Sequence, residues 1–569
     1  MAAESLDSLL SQLEDATRRF GPGEGKRVHA LLSRTGRRRL PDAASLIRFH
    51  EAVLFLRAYP HDRRVLAEAE RILAGFHRRV ARLLASEPED VDALAEPEVS
   101  GIAGTGLSAY LGYDAVRDLA ERHSGSMDVD WEAFEDEGHL ADLLKAALPL
   151  FEDGAYAENP VPWRDWIQAA KRRDESDLAW LLSTIRGTGA TDRLEALLYE
   201  GLEIPVEWRI GRSPASRTTM RLASGPAFHH REPLIRRRDV HLAREVDEAE
   251  APPARRLPRA KAERVLALAR DAMASRYREL YGFTYGDPRR VVVANAGRGV
   301  RFTFCGVVPD RRFPLLAYHA ALIVKNGVLV GYAEFLSLFE RTEFGLNMFY
   351  TFRNGESAWI SARLLRLLRQ ITGVTVVSVD PYQVGHHNEE AIESGAFWFY
   401  QKLGFRPVKP ELAVLAAKEE RRMEARPDHR TSASTLRRLA AGHLVWEAPS
   451  APAPGTWDRF HFREIGLAVQ REAARRTGGK RRADSSARVA RSLGVRPGAW
   501  GEAERRAFEA MAPALELVPG LSRWSPADKR ALVRIVKAKA GPDESRYLEL
   551  LQKHAKLRAA MVKLGSGER

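Results

Sequence analysis

A few residues in this sequence have the type and spacing to hold a phosphate or move a proton. The run Arg353-Asn354-Gly355-Glu356-Ser357-Ala358 follows an apolar stretch that alternates with period two. It precedes a helix-like stretch carrying Ile360, Leu364, Leu365, Leu367 and Leu368. A strand that enters a helix through a short turn of glycine and small residues leaves the first helical N–H groups without carbonyl partners. They sit at the positive end of the helix dipole, where a phosphate binds. Glu343 opens the same strand on the face of Asn347, and its carboxylate is the leading candidate to take a proton from an amine, directly or through a water. Glu334, on the preceding strand, is the second candidate. Tyr400 ends the aromatic run Phe397-Trp398-Phe399-Tyr400. A phenol of ordinary pKa, about 10, is a competent proton donor, and a buried one needs a hydrogen-bond partner.

Other reactive residue types read more plainly. Adjacent His386 and His387 face different sides of most backbones and come without an HExxH pattern, so they do not form a chelating pair; His387 is placed to line an acceptor cleft. Gly297-Arg298-Gly299 lacks the third glycine of a dinucleotide fingerprint and reads as a hairpin tip. Trp163 and Trp166, at helical spacing, read as core anchors. Cys305 is the single cysteine and reads as buried and inert. One thiol makes neither an internal disulfide nor a multi-cysteine zinc site, and points to a reducing cytoplasm.

Elements that would position these residues follow from the surrounding pattern. A helix is predicted over 261–281, then strands at 290–294 and 300–308 around the tip. Segments 315–325 and 328–339 form a hairpin across Asn326-Gly327, which suits a type I′ turn. A strand at 342–352, a helix at 357–371, a strand at 374–379 and a helix at 394–403 come next, with Gly404 reversing the chain before Phe405.

This order of hairpin, strand, glycine-containing turn, helix and strand, then Asn388 and Phe399-Tyr400-Gln401-Lys402-Leu403-Gly404-Phe405, resembles the GNAT acyltransferase superfamily. The likeness covers about 261–414, roughly a quarter of the chain. It implies a mixed α/β (α+β) central sheet with flanking helices, an acyl-CoA co-substrate, most simply acetyl-CoA, and N-acyl transfer to an unidentified amine without a metal. It also implies that the turn of Phe352, Arg353, Asn354, Gly355 and Ser357, with the small Ala358 beside it, cradles the CoA pyrophosphate. Asn388 would contact CoA, and Tyr400 would protonate the departing thiolate. The family's turn reads Gln or Arg, two residues, Gly, one residue, then Gly or Ala. Here those positions are Phe352, Gly355 and Ser357, so the leading polar residue is missing and Arg353 stands one place later. Glu356 would repel a phosphate unless its side chain points away.

The chain has 569 residues, room for three to four domains at about 150 residues each. With 45% apolar and 29% charged residues it is too apolar to be disordered throughout. Helical regions are predicted over 1–90 and 91–212, a connector over 213–260, the acyltransferase-like domain over 261–425 and a basic helical region over 426–569. The first sixteen residues carry Glu4, Asp7, Glu14 and Asp15 and do not read as a secretory signal. The most apolar stretch, 315–324, contains His319 and falls short of the roughly 18 residues of a membrane span. The formal net charge is +13, and 431–569 alone has 13 more basic than acidic residues. The segment 471–491, with Arg475, Arg476, Lys480, Arg481, Arg482, Arg488 and Arg491, reads first as a solvated connector. A second cluster, Lys529, Arg530, Arg534, Lys537 and Lys539, falls on a predicted helix. Such charge attracts polyanions non-specifically. Three other readings therefore stand beside the acyltransferase: an aminoacyl-tRNA-dependent transferase on a related fold, a non-catalytic scaffold, and a nucleic-acid-binding protein whose functional part is the tail.

Overall fold

The computed structural model describes residues 4–87, 91–152, 162–222, 225–475 and 481–567. The protein is mixed α/β. A small antiparallel sheet is made of β1 (Gly106–Tyr110), β2 (Met127–Val129) and β3 (Pro205–Arg209), with β3 in the middle. The large sheet holds β4 (Ala254–Arg256), β5 (Val292–Gly297), β6 (Val300–Gly306), β7 (Ala317–Lys325), β8 (Val328–Leu338), β9 (Arg341–Met348), β10 (Val376–Val379), β11 (Arg406–Pro407) and β12 (Leu444–Glu447). Its spatial order is β11-β12-β10-β9-β8-β7-β6-β5-β4, antiparallel throughout except between β9 and β10.

Local chemistry explains the elements around the cleft. The β7–β8 hairpin turns on Asn326 and Gly327 with φ of 48° and 82°, the two positive values that a type I′ turn requires. Every residue of β7 is buried, which accounts for its continuous apolar run. The expected 342–352 strand is shorter: β9 stops at Met348 and the chain coils through a 3-10 turn, Tyr350–Phe352. Period-two alternation therefore does not place Tyr350 or Phe352. The Ser357–Thr372 helix buries Ile360, Leu364, Leu365, Leu367 and Leu368, and ends at Gly373 in the left-handed conformation (φ 74°) that glycine adopts without a Cβ penalty.

Buried side chains form three clusters. The first joins the helices Leu6–Thr17, Glu24–Gly36, Ala43–Ala58, Arg63–Ala74 and His77–Ser86 to the large sheet. Within Ala43–Ala58, residues 52–58 are buried without a break, so this helix is covered on all sides. The second surrounds β1–β3 and includes Trp163, Trp180 and Trp208, with Trp166 packed against it. The third sets Trp457, Phe460, Phe508 and Tyr547 against Leu315, Leu338, Phe339 and Val376 of the sheet.

The sheet is wider than 261–425. β4 comes from the expected connector, and β12 comes from a stretch expected to be helical, yet lies between β11 and β10. A four-residue strand is too short for periodicity to reveal. No helix among the described residues is long and apolar enough to cross a membrane.

Candidate functional site

β9 and β10 run parallel but pair at only three positions, Arg341, Thr342 and Glu343 with Val376, Val377 and Ser378. β9 continues to Met348, held on its other side by β8, whereas β10 ends at Val379 and the chain turns through Pro381–Val384. Among the described residues no strand pairs with the 344–348 edge of β9 on this side, and a cleft of about 760 Å³ opens beside it. Tyr332, Glu334 and Asn347 of the sheet line this cleft. So do Arg278, Arg353, Asn354 and Ser357, Asn388 and Tyr400, and Arg237. Arg278 reaches it because Tyr277 takes a left-handed conformation (φ 54°) just past the Arg259–Ala274 helix, at a position where glycine is usual.

The turn between β9 and the Ser357–Thr372 helix leaves the helix N-terminus open. No side chain caps the helix N-terminus, and the Ile360 N–H donates to Glu356 O at 2.9 Å, leaving the preceding N–H groups as the open end of the dipole. Glu356 points inward. Its carboxylate is fully buried, 3.0 Å from Lys325 Nζ and 2.5 Å from Arg298 Nη2, and accepts the Ile235 N–H at 3.2 Å. Burial works against its ionisation, but Lys325 and Arg298 outweigh it and hold the carboxyl below its usual range. Burial also brings Lys325 down to about 8.

The cofactor-side residues divide. Arg353, Asn354, Ser357 and Asn388 line the cleft, whereas Phe352, Gly355 and Ala358 do not. Phe352 is buried and stacked on Phe55, 6.5 Å between centroids, and Ala358 is buried in the first helical turn. Gly355 faces Tyr59: a Cβ there would lie 2.4 Å from the Tyr59 hydroxyl. The glycine thus admits an N-terminal side chain, and the expected close approach to a pyrophosphate at this residue gives way to that contact. Asn388 caps its own short helix, accepting the Ala391 N–H and donating to Tyr382 O, each at 3.1 Å, so both ends of its amide are engaged.

The proton-handling candidates also divide. Glu334 lies in the cleft on the face of Tyr332 and accepts from the Tyr318 hydroxyl. Burial raises its pKa. Glu343 stands outside the cleft lining, where β9 is still paired with β10, 3.4 Å from Arg341. This reverses the expected ranking of the two carboxylates, because the strands diverge only after Glu343. Tyr400 is 3% exposed and lines the cleft, its ring edge-on to Phe344 and Phe405. Among the described residues its hydroxyl has no hydrogen-bond partner, and burial raises its pKa.

Among the described residues one group has the donor set of a cation site: Glu343, Asp380 and His443 place their ligand atoms within 4.8 Å of one another. Glu343 already has a countercharge in Arg341, and His443 lies 3.4 Å from Asp380. The rings of His386 and His387 lie tilted to each other with centroids 4.2 Å apart, and His387 does not line the cleft. Cys305 is buried and its thiol is pushed up to about 12, as suits an inert core residue. In the tail, Lys537 pairs with Glu504, Lys539 is buried against Glu544 and Arg488 pairs with Glu516, so part of the basic surplus is spent inside the fold. Arg476 and Lys480 lie outside the described residues, as do the side chains of Arg481 and Arg482.

Sequence reasoning missed Arg237, Arg278, Tyr332 and Glu390. Arg278 donates to the Tyr332 hydroxyl at 3.4 Å and lies 3.5 Å from both Glu390 and Glu98, while Arg353 pairs with Glu390. Burial opposes ionisation of Glu390, but the two guanidinium groups keep its carboxyl below its usual range. Burial, with Glu390 beside it, raises Glu98. Only Arg237 carried a signal, the Arg236-Arg237-Arg238 run in an otherwise featureless connector. No family model, curated protein or solved structure matches the chain.

Proposed function

We propose that the chain is an acyl-CoA-dependent N-acyltransferase of GNAT type that moves an acyl group, most simply acetyl, from the CoA thioester to an amine. The observation that carries this reading is the divergence of β9 from its parallel neighbour β10, next to a turn that enters an uncapped helix. A thioester threaded between the strands meets the unpaired backbone edge at 344–348, whose N–H groups polarise its carbonyl. The amine attacks the carbonyl carbon and gives up its proton to Glu334, directly or through a water. The carbon–sulfur bond then breaks, and Tyr400 passes its proton to the sulfur. Exchange with solvent restores both side chains. A reducing, cytoplasmic setting fits the lone buried thiol.

Titration with acetyl-CoA tests the reading. At one hundred times its dissociation constant a ligand stabilises the native state by about 2.7 kcal/mol, and an amine substrate should then release free thiol. An unfolding midpoint unmoved by millimolar acetyl-CoA rejects the proposal and favours an aminoacyl-tRNA donor or a non-catalytic scaffold.

A further inference from the structure

The turn after β9 has lost the polar side chain that opens it in the superfamily it resembles, because Phe352 is buried there against Phe55. Another segment brings a cation to the same place. The connector is pinned to the turn by the Ile235 N–H, which donates to Glu356 Oε1 at 3.2 Å. Two residues later Arg237 opens the 3-10 turn Arg237–Asp239, which packs on the Ser357–Thr372 helix. Arg237 lines the cleft together with Asn354 and Ser357.

Its guanidinium differs from the other two in the cleft. Arg278 and Arg353 are both held by Glu390, whereas Arg237 is half-buried and, among the described residues, has no side-chain hydrogen bond or ion pair. Lys402 is near enough that Arg237 adds to the effect of burial in disfavouring its protonation, so a second cationic side chain stands on this side. An unpaired, half-desolvated guanidinium calls for an anionic partner, and its planar fork matches two oxygens of a phosphate. A second observation also points to a ligand: Tyr400, 3% exposed, lines the same cleft, and among the described residues its hydroxyl has no hydrogen-bond partner.

We propose that Arg237, supplied by the connector, binds a phosphate group of the CoA co-substrate in place of the side chain missing from the turn. The inference rests on the acyl-CoA reading above. Either the diphosphate or the 3′-phosphate of CoA has the required chemistry.

Calorimetry on the full chain tests it, with CoA, dephospho-CoA and acetyl-pantetheine as probes. Arg237→Ala should weaken CoA about tenfold to a hundredfold, as expected for loss of a charge-assisted contact, and leave acetyl-pantetheine unchanged. Arg237→Lys should recover part of the loss. The unfolding midpoint should stay put, since the side chain has no protein partner to lose. An equal loss for dephospho-CoA assigns the contact to the diphosphate, and a loss confined to CoA assigns it to the 3′-phosphate; both support the proposal. Equal CoA affinity in wild type and Arg237→Ala overturns it while the acyl-CoA reading stands, as does a parallel loss of acetyl-pantetheine, which marks a structural effect. A wild-type chain that binds neither CoA nor acetyl-pantetheine overturns the acyl-CoA reading and this inference with it.

Discussion

Replacing Tyr400 with phenylalanine separates chemistry from packing, because the two roles predict opposite outcomes. The ring packs edge-on against Phe344, Phe399 and Phe405, with centroids 6.4, 5.3 and 5.4 Å away, and phenylalanine keeps all of these contacts. The hydroxyl is the only group removed. The hydroxyl makes no hydrogen bond to the described residues and its residue lines the cleft, so its loss should leave stability unchanged or raise it slightly. Turnover should move the other way. General acids contribute about 10²- to 10⁴-fold, and Tyr400 belongs at the low end of that range. Burial lifts its pKa above the ordinary value of about 10, whereas an alkyl thiol ionises at about 8.5, so complete proton transfer runs uphill by more than about 2 kcal/mol. Only partial transfer in the transition state helps, and a drop of about 10² in kcat is expected. Urea unfolding and thiol-release kinetics on the same preparation give both numbers. A Tyr400→Phe chain that turns over normally refutes the acid role, and one that loses stability shows the hydroxyl to be structural.

Glu334→Gln should lower kcat while leaving acetyl-CoA affinity intact. Burial raises the pKa of Glu334 and a base must be ionised, so the wild-type rate should climb with pH through a value above 4.5; the variant should lack that limb, and an unchanged pH–rate profile would exclude the role. Glu356→Gln leaves Lys325 and Arg298 facing a neutral amide in the interior and should cost about 3–5 kcal/mol at pH 7. The depressed pKa of Lys325, about 8 against 10.5, means that its buried charge opposes folding below pH 8 and that this opposition fades as pH rises towards 10.5. The penalty of the variant should therefore be smaller at pH 9 than at pH 7, and an equal penalty would show that Lys325 keeps its charge. Deleting 431–569 removes β12 from between β11 and β10 and strips the third core, so the shortened chain should fail to unfold cooperatively; a soluble truncation that still binds acetyl-CoA would contradict this.

Much of the central sheet was legible in the sequence because its signals are local. Asn326-Gly327 sets one turn by its backbone preferences, the strand-turn-helix around 353–358 follows from alternation giving way to helical spacing, and Tyr400 reaches the cleft through a helix read from its own residues. The rest depends on where strands stop pairing. Alternation placed Glu343 correctly on the face of Asn347, but nothing in a two-residue period tells that β10 leaves β9 at that residue, and this is what passes the cleft carboxylate to Glu334. β12 was invisible for a related reason, since it is a short segment whose place is set by neighbours far away in sequence, and the arginine run at 236–238 gave no sign that Arg237 reaches the cleft.

Glu356 shows how distant segments shape the site. As a carboxylate in a turn proposed to hold a phosphate it would be a liability, and the fold removes it by turning it inward onto Lys325 at the end of β7 and Arg298 at the β5–β6 tip. The ion pair fixes the turn to the tips of both hairpins, and Tyr59, set against Gly355, adds the end of the Ala43–Ala58 helix to the same contact. One residue before Phe352, Thr351 donates to Glu51 of that helix, and Glu51 is paired with Arg217 at 2.9 Å. Arg217 outweighs the burial of Glu51 and brings its carboxyl down to about 2, so this anchor stays charged through the neutral range. The backbone N–H groups that would meet a pyrophosphate are thus held by an N-terminal helix and by the segment around Arg217, as well as by the sheet. The helices preceding the central sheet are part of the site's scaffold, and a fragment beginning at residue 261 would present the turn without the groups that give it its shape.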